Sequence, residues 1–132
     1  MIVQFDRTKG TLQNVNPDGS LGVVLATGVW SGHGDHANVI ADEGLKSEGP
    51  LPAGDFHVAQ PVDSQHLGPF VMALTQTSGE TFGRGSFFVH GAAQNDRFHA
   101  SSDGCVIATH ADRVRLNTEL GRVTDQRVLR VV

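Results

Sequence analysis

The sequence predicts a mainly β fold with one short helix, and three observations support this prediction. Sixteen glycines and five prolines in 132 residues indicate many turns. Short apolar segments, several of them alternating with polar residues, lie between those turns, as is typical of strands. A single capping-box pattern near the C-terminus marks the start of one helix. We therefore expect one domain over residues 1–132, with a mostly antiparallel sheet.

Seven segments are predicted to be strands. The first two, residues 1–6 and 11–14, flank a turn at residues 7–10. The Asn-Pro-Asp-Gly sequence at 16–19 is a strong β-turn signal. It precedes the apolar run at 21–26, which we expect to be a buried strand. The remaining predicted strands are residues 54–58, 70–75, 86–90 and 126–132.

Two other segments complete the predicted layout. Residues 27–52 are glycine-rich and polar, and this length is unusual for a structureless loop in a compact domain. We therefore expect this segment to be a mobile lid or the wall of a groove. Thr109 and Asp112 form the capping box of a helix expected over residues 110–120, which Gly121 ends.

Charge and hydropathy exclude several classes of partner. The chain carries ten Lys and Arg against fourteen Asp and Glu, and no basic stripe is visible, so we expect no nucleic-acid and no membrane partner. No segment reaches the roughly 18 apolar residues that a transmembrane helix needs. The first ten residues, MIVQFDRTKG, lack the features of a signal peptide, so we expect synthesis in the cytoplasm without one. The lone cysteine excludes an internal disulfide bond.

That cysteine lies in an unusual setting. Cys105 ends the polar turn SSDGC and directly precedes the apolar pair Val106-Ile107. A free cysteine is often a buried, inert thiol, whereas a polar turn that runs towards a helix offers the N–H donors that a thiolate needs. Gly104 lets the backbone approach a ligand closely, so the N–H groups of Gly104 and Cys105 are candidate oxyanion donors. This stretch alone leaves both interpretations open.

A nucleophilic cysteine needs a base, which is normally a histidine. His110 is the only histidine after Cys105, and it lies at the expected start of the helix. Among the earlier histidines His90 is the best placed, because it ends a predicted strand and precedes Gly91. In that strand Phe88 and His90 should share one face.

Taken together, FFVHGAAQNDRFHASSDGCVI resembles the signature of the L,D-transpeptidase catalytic domain. That signature is a strand-end His-Gly followed, after a spacer, by Ser-x-Gly-Cys and an apolar residue. The resemblance implies a β-sandwich or barrel in which His90 is the base and Cys105 the nucleophile. It also implies that the Gly104-Cys105 backbone forms the oxyanion site, and that Ser102 shapes the turn. The implied reaction is attack on the carbonyl of an L,D peptide bond in peptidoglycan stem peptides, without a cofactor.

Two departures indicate a narrower group within this family. The family often has histidine where this chain has Asp103, and commonly Arg or Asn where it has Ile107. The chain is more similar to small type VI secretion antibacterial effectors, whose upstream Ser-Gly-x-Gly and Gly-Pro-apolar-Pro-x-Gly-x-aromatic segments it shares at 31–34 and 49–56. This resemblance implies L,D-carboxypeptidase activity or D-amino acid exchange on tetrapeptide stems. It also implies delivery by the secretion apparatus into the periplasm of a target bacterium, and a cognate immunity protein.

Several groups are candidates to orient His90 or to change the pKa of Cys105. A backbone carbonyl near Gly91, or the side chain of Ser101 or Asp103, is a candidate to orient His90. We expect His90 to lower the pKa of Cys105 below that of a free thiol.

Other residues are candidates for contact with the substrate. Arg84 and Arg97 flank the His90 strand, and an anionic stem peptide needs groups that bind its carboxylates. Trp30 stands alone in a glycine loop, where it is either a stacking platform or core filler.

Two alternative functions remain at this stage. His33 and His36 lie three apart in one loop, and with His90 they form the candidate ligand set of a metal-dependent peptidoglycan amidase. The simpler interpretation places His33 and His36 in a solvated loop beside the substrate groove, with no metal. The other alternative is a non-catalytic cell-wall-binding module that keeps the fold.

Overall fold

The structure, a computed structural model, describes residues 1–93 and 102–132. It contains ten strands and one α-helix within those residues. The elements are β1 (Ile2–Asp6), β2 (Thr11–Val15), β3 (Leu21–Ala26), β4 (Trp30–Ser31), β5 (Gly54–Val58), β6 (Val62–Ser64), β7 (Gly68–Gln76), β8 (Phe87–His90), β9 (Val106–Ile107), α1 (His110–Leu120) and β10 (Val128–Val131).

The strands form one open sheet in the order β3-β2-β1-β10-β5-β7-β8-β9-β4, and β6 pairs with β7 beside this path. The predicted mainly β class with one helix after the cysteine turn is confirmed. Over the described residues the path has two ends, at β3 and β4, so the sheet does not close into a barrel. Two of the nine pairings there, β1 with β10 and β8 with β9, are parallel. The mostly antiparallel prediction is confirmed too.

A single apolar cluster joins the sheet to the helix. Phe5, Phe56 and Leu129 of the sheet and Leu116 and Leu120 of α1 are at most 1% exposed. Burying side chains of this size stabilises the fold by roughly 1.5–3 kcal/mol each.

The helix begins and ends as predicted. Its N-cap Thr109 accepts a hydrogen bond from the Asp112 N–H at 3.1 Å. At the C-terminus Gly121 has a φ of 80°, which a glycine adopts without strain. No helix in the described part of the chain is long and apolar enough to cross a membrane.

Most predicted strands are present, but one was described wrongly. Residues 21–26 form β3, yet Val23 is 62% exposed and only Leu25 and Ala26 are buried. The reason is position, because β3 ends the strand path and has a neighbouring strand on one side only. Strands β4, β6 and β9 were not predicted, because two or three residues are too few to show an alternating pattern.

Four arginines are buried against backbone carbonyls, a feature that the sequence did not reveal. Arg7, Arg84, Arg113 and Arg127 are at most 8% exposed. Arg127, for example, donates to the carbonyls of Val58 at 2.9 Å and Ala59 at 3.2 Å. Burial lowers the pKa of all four guanidinium groups. These side chains fasten loops to the sheet.

Candidate active site

The parallel pairing of β8 and β9 brings His90 and Cys105 together. Val89 pairs with Val106 and His90 with Ile107, so Cys105 stands beside Phe88 and on the same face as His90. The two residues are therefore diagonal neighbours on adjacent strands. Strand spacing and rise put their Cα atoms roughly 8 Å apart, within reach of the two side chains. The predicted alternation in this strand is confirmed, because Phe87 and Val89 face the core.

Both residues line an open cleft of about 310 Å³. Four of the predicted site residues meet in its lining, namely Cys105, His90, Arg84 and Asp103. The remaining lining residues are Lys46, Ser47, Leu67, Gly85, Ser86 and Phe88. None of these was predicted individually as a site residue, although residues 27–52 were expected to form a wall and Phe88 to share the face of His90.

Ser102 holds the cysteine turn in shape. Its hydroxyl is fully buried, donates to the Cys105 carbonyl at 2.6 Å and accepts from the N–H groups of Gly104 at 3.1 Å and Gly32 at 3.0 Å. The Gly104 N–H is therefore directed at Ser102. Of the two N–H groups predicted to bind an oxyanion, the Cys105 N–H is the better candidate. Gly104 itself has a φ of 121°, a conformation that favours glycine.

The Ser-Gly-x-Gly segment lies directly behind this turn. The Ser31 hydroxyl, also fully buried, donates to the Gly104 carbonyl at 2.9 Å and accepts from the Leu51 N–H at 2.8 Å. Asn38 accepts from the Ser31 N–H at 2.9 Å and donates to the Val29 carbonyl at 3.1 Å. The segment thus supports the cysteine turn, a role that only the shared motif at 31–34 could have indicated.

A backbone carbonyl orients His90. Its Nδ1 lies 2.8 Å from the Gly91 carbonyl oxygen, and a carbonyl can only accept, so Nδ1 carries the proton and Nε2 is the basic nitrogen of the neutral ring. Burial lowers the pKa of His90, which the Gly91 contact and the charge of Asp103 partly offset, while Arg113 lowers it further. A Cβ on Gly91 would lie 2.8 Å from the Arg113 guanidinium, so the close packing here requires glycine.

The structure does not support the expected low pKa of the thiol. Burial raises the pKa of Cys105, and the negative charge of Asp103 adds to this effect. A backbone hydrogen bond from Phe88 and the charge of Arg84 act in the opposite direction. The prediction was wrong in direction because it ignored desolvation of the thiolate. In the free protein near neutral pH, a neutral thiol therefore faces a neutral imidazole.

Arg84 does not fit the exposed carboxylate clamp predicted from the sequence. It is 8% exposed and donates to the carbonyls of Pro50 at 2.7 Å, Gly49 at 2.9 Å and Glu43. Its guanidinium also lies 5.3 Å from the centre of the Phe87 ring. Its Nη1 and Nη2 groups bond to protein carbonyls, so among the described lining residues the exposed cation is Lys46.

The segment over residues 27–52 forms one wall of the cleft through Lys46 and Ser47. It contains β4 and two short 3-10 helices, and Arg84 fastens it to the sheet side of the cleft. This arrangement fits the prediction that residues 27–52 form the wall of a groove.

The remaining predicted site residues lie apart from the cleft or outside the description. Trp30 pairs with Ile107 and borders a neighbouring cleft together with His110 and Arg113. Gly91 lines that cleft as well. Arg97 and Ser101 lie outside the described residues.

The proposed metal ligands are not brought together. His33 Nδ1 lies 3.5 Å from Asp103, both side chains being largely solvent-accessible, and His36 pairs with Asp42 at 2.8 Å. His33 and His36 therefore do not join His90. Within residues 1–93 and 102–132, no group of three or more His, Cys, Asp or Glu side chains is arranged to hold a metal ion.

Comparison with known families shows that residues 26–131 match the Tlde1 domain. This range includes His90, Cys105, the cysteine turn and the segment that forms the cleft wall. No curated protein matches the chain significantly.

Proposed function

We propose that Cys105 and His90 cleave tetrapeptide stems of peptidoglycan. The proposal starts from the family, because this chain belongs to the Tlde1 domain family of type VI secretion L,D-transpeptidase effectors. Membership of this family makes the chain a peptidoglycan-acting enzyme. The observation that carries the finer proposal is the position of the only cysteine. It lies on the same face of a parallel strand pair as a histidine whose Nδ1 is already bonded to a carbonyl.

The proposed first step is acyl transfer to the thiol. His90 Nε2 takes the thiol proton while Sγ of Cys105 bonds to the penultimate carbonyl carbon of the stem. The carbon–nitrogen bond to the terminal D-alanine then breaks, and His90 returns the proton to the leaving nitrogen. The Cys105 N–H is the candidate donor to the oxyanion. The neutral resting state of both side chains favours proton transfer that is coupled to the attack.

The second step decides the product. Water that attacks the thioester regenerates the thiol and gives L,D-carboxypeptidase activity. A D-amino acid or a second stem in place of water gives exchange or cross-linking. The open form of the cleft favours access for water and for a small amino acid. We therefore propose hydrolysis, exchange or both, with no cofactor.

The same proposal includes the place of action and the partners. The family is one of type VI effectors, which are secreted to a target cell, and the stem substrate lies in the periplasm. We propose that the chain acts there, that the secretion apparatus delivers it, and that a cognate immunity protein protects the producer.

The direct test is mass spectrometry of purified muropeptides after incubation with the wild type and with Cys105→Ala. We expect the wild type to remove or exchange D-alanine and the variant to do neither. Val123→Ala, at an exposed position outside the lining of this cleft, is the control for general effects of substitution. Full activity of Cys105→Ala together with inhibition by EDTA would instead favour the metal-dependent amidase. Stem binding without any product would favour the non-catalytic module.

A further inference from the structure

We propose that Arg84 is a positioning residue, which places a buried positive charge beside Cys105 and joins the cysteine turn to the cleft wall. The catalytic meaning of this inference rests on the proposed function of Cys105. Its physical basis does not, because the contacts of Arg84 can be tested without any peptidoglycan substrate.

Arg84 is buried, and no carboxylate of residues 1–93 or 102–132 forms an ion pair with it. Its hydrogen bonds in the described structure go to backbone carbonyls, at 2.7 Å for Pro50 and 2.9 Å for Gly49. The nearby carboxylate of Glu43 instead lies 3.5 Å from Arg7. Carbonyl dipoles solvate a cation but do not cancel its charge, and little water reaches this side chain. Such a cation therefore stabilises any anion that forms next to it.

The proposed nucleophile lies near this guanidinium. Arg84 lines the same cleft as Cys105. It also packs closely against Gly104, the residue before Cys105, because a Cβ on Gly104 would lie 2.4 Å from its Nη2. The same side chain therefore contacts the turn that carries the nucleophile and the carbonyls of the opposite wall.

The other charged groups that face the cleft are less suited to this role. Lys46 is exposed, so water screens its charge. Asp103 is negative and its side chain is 74% exposed. Near neutral pH, His90 is neutral until it takes the thiol proton. Arg84 is thus the buried, permanently charged cation among the described groups of the cleft.

Arg127 provides a matched control. It is fully buried and also donates to backbone carbonyls, including Val58 at 2.9 Å and Gly121 at 2.6 Å. It does not line the cleft of Cys105. A substitution of Arg127 therefore reports the structural cost of losing such an arginine without removing charge from the thiol.

The experiment measures the alkylation rate of Cys105 by iodoacetamide against pH, alongside urea unfolding of each variant. Removing the positive charge in Arg84→Gln should raise the midpoint by about one pH unit, so alkylation at a fixed pH below it becomes about tenfold slower. Arg84→Lys should keep the midpoint near that of the wild type while it lowers stability. Arg127→Gln should lower stability and leave the midpoint unchanged.

A second variant covers the case in which Arg84→Gln does not fold. Arg84→Met keeps an unbranched side chain of similar length but removes the charge, so the midpoint should again rise. An unchanged midpoint in the folded charge-removing variant would reduce Arg84 to a structural role. Alkylation requires no stem peptide, so this result would leave the proposed reaction standing. Conversely, inactive wild type in the muropeptide assay would leave the alkylation result intact.

Discussion

Replacing Ser102 by alanine should destabilise this protein far more than the loss of one hydroxyl group suggests. The Ser102 hydroxyl is fully buried and makes three hydrogen bonds, to the Cys105 carbonyl and from the N–H groups of Gly104 and Gly32. An alanine methyl group fills most of the space but bonds to none of these groups. Two buried N–H groups and the part-buried Cys105 carbonyl would then lose this partner.

The magnitude follows from the number of groups left without a partner. Each unsatisfied buried group costs about 1–3 kcal/mol, and three that share one site should cost about 3–5 kcal/mol together. That is a large part of the roughly 5–15 kcal/mol by which a small domain is stable. Ser31→Ala removes two such bonds and should cost less. Thr109→Ala removes one exposed cap bond and should cost about 1 kcal/mol.

The assay is urea unfolding followed by far-ultraviolet circular dichroism, with the free energy of unfolding compared among the three variants. We expect losses in the order Ser102→Ala, Ser31→Ala, Thr109→Ala. The Cys105 alkylation rate should also change in the first two variants, because both hydroxyls hold the turn that carries the thiol. A Ser102→Ala loss no larger than that of Thr109→Ala would refute the three-bond account.

Three further predictions concern other parts of the site. Burial lowers the pKa of His90 below 6.5, so its contribution to stability is present above pH 6.5 and should be lost as the pH falls through the folded pKa. The acid slope in chemical unfolding should be shallower in His90→Gln, and His36→Gln should change it in the opposite sense because the bond to Asp42 raises the pKa of His36. Lys46→Ala should raise KM for tetrapeptide stems several-fold with little change in kcat, which steady-state kinetics can check, with Lys46→Arg restoring it. Hydrogen exchange over residues 27–52 should slow when a stem peptide binds, and unchanged rates would exclude this wall from the binding site.

The elements that could be predicted from the sequence are those with local signals. Alternation identified strand β8 and the faces of Phe88 and His90, and the Thr109 cap identified the start of α1. The spacing of His90 and Cys105 in the sequence was informative because His90 ends β8 and Cys105 directly precedes β9, which pairs with β8. These features depend on a few adjacent residues.

The rest could not be predicted because it depends on contacts between distant segments. Strand β9 has two residues, too few to show an alternating pattern. Its parallel pairing with β8 could therefore not be predicted from the sequence. The burial of Arg84 depends on carbonyls more than thirty residues away. An arginine in a glycine-rich loop is usually solvated, and nothing local distinguishes this one. The same holds for Lys46, whose place on the cleft wall follows from how residues 27–52 fold back.

The acidity of the pair follows from this same packing. Burial of His90 and Cys105 removes water from both side chains, and this loss of water favours the neutral form of each. Neutral forms cannot attract each other as an ion pair would, so the geometry must be held by other means. The Gly91 carbonyl fixes the imidazole and the Ser102 hydroxyl fixes the turn of the thiol. In the proposed reaction, bonding of Sγ to a stem carbonyl makes proton transfer to Nε2 favourable, because no thiolate has to persist in the free protein. The cost of forming charge in this cleft therefore falls on the reaction step itself, where the buried cation of Arg84 lowers it.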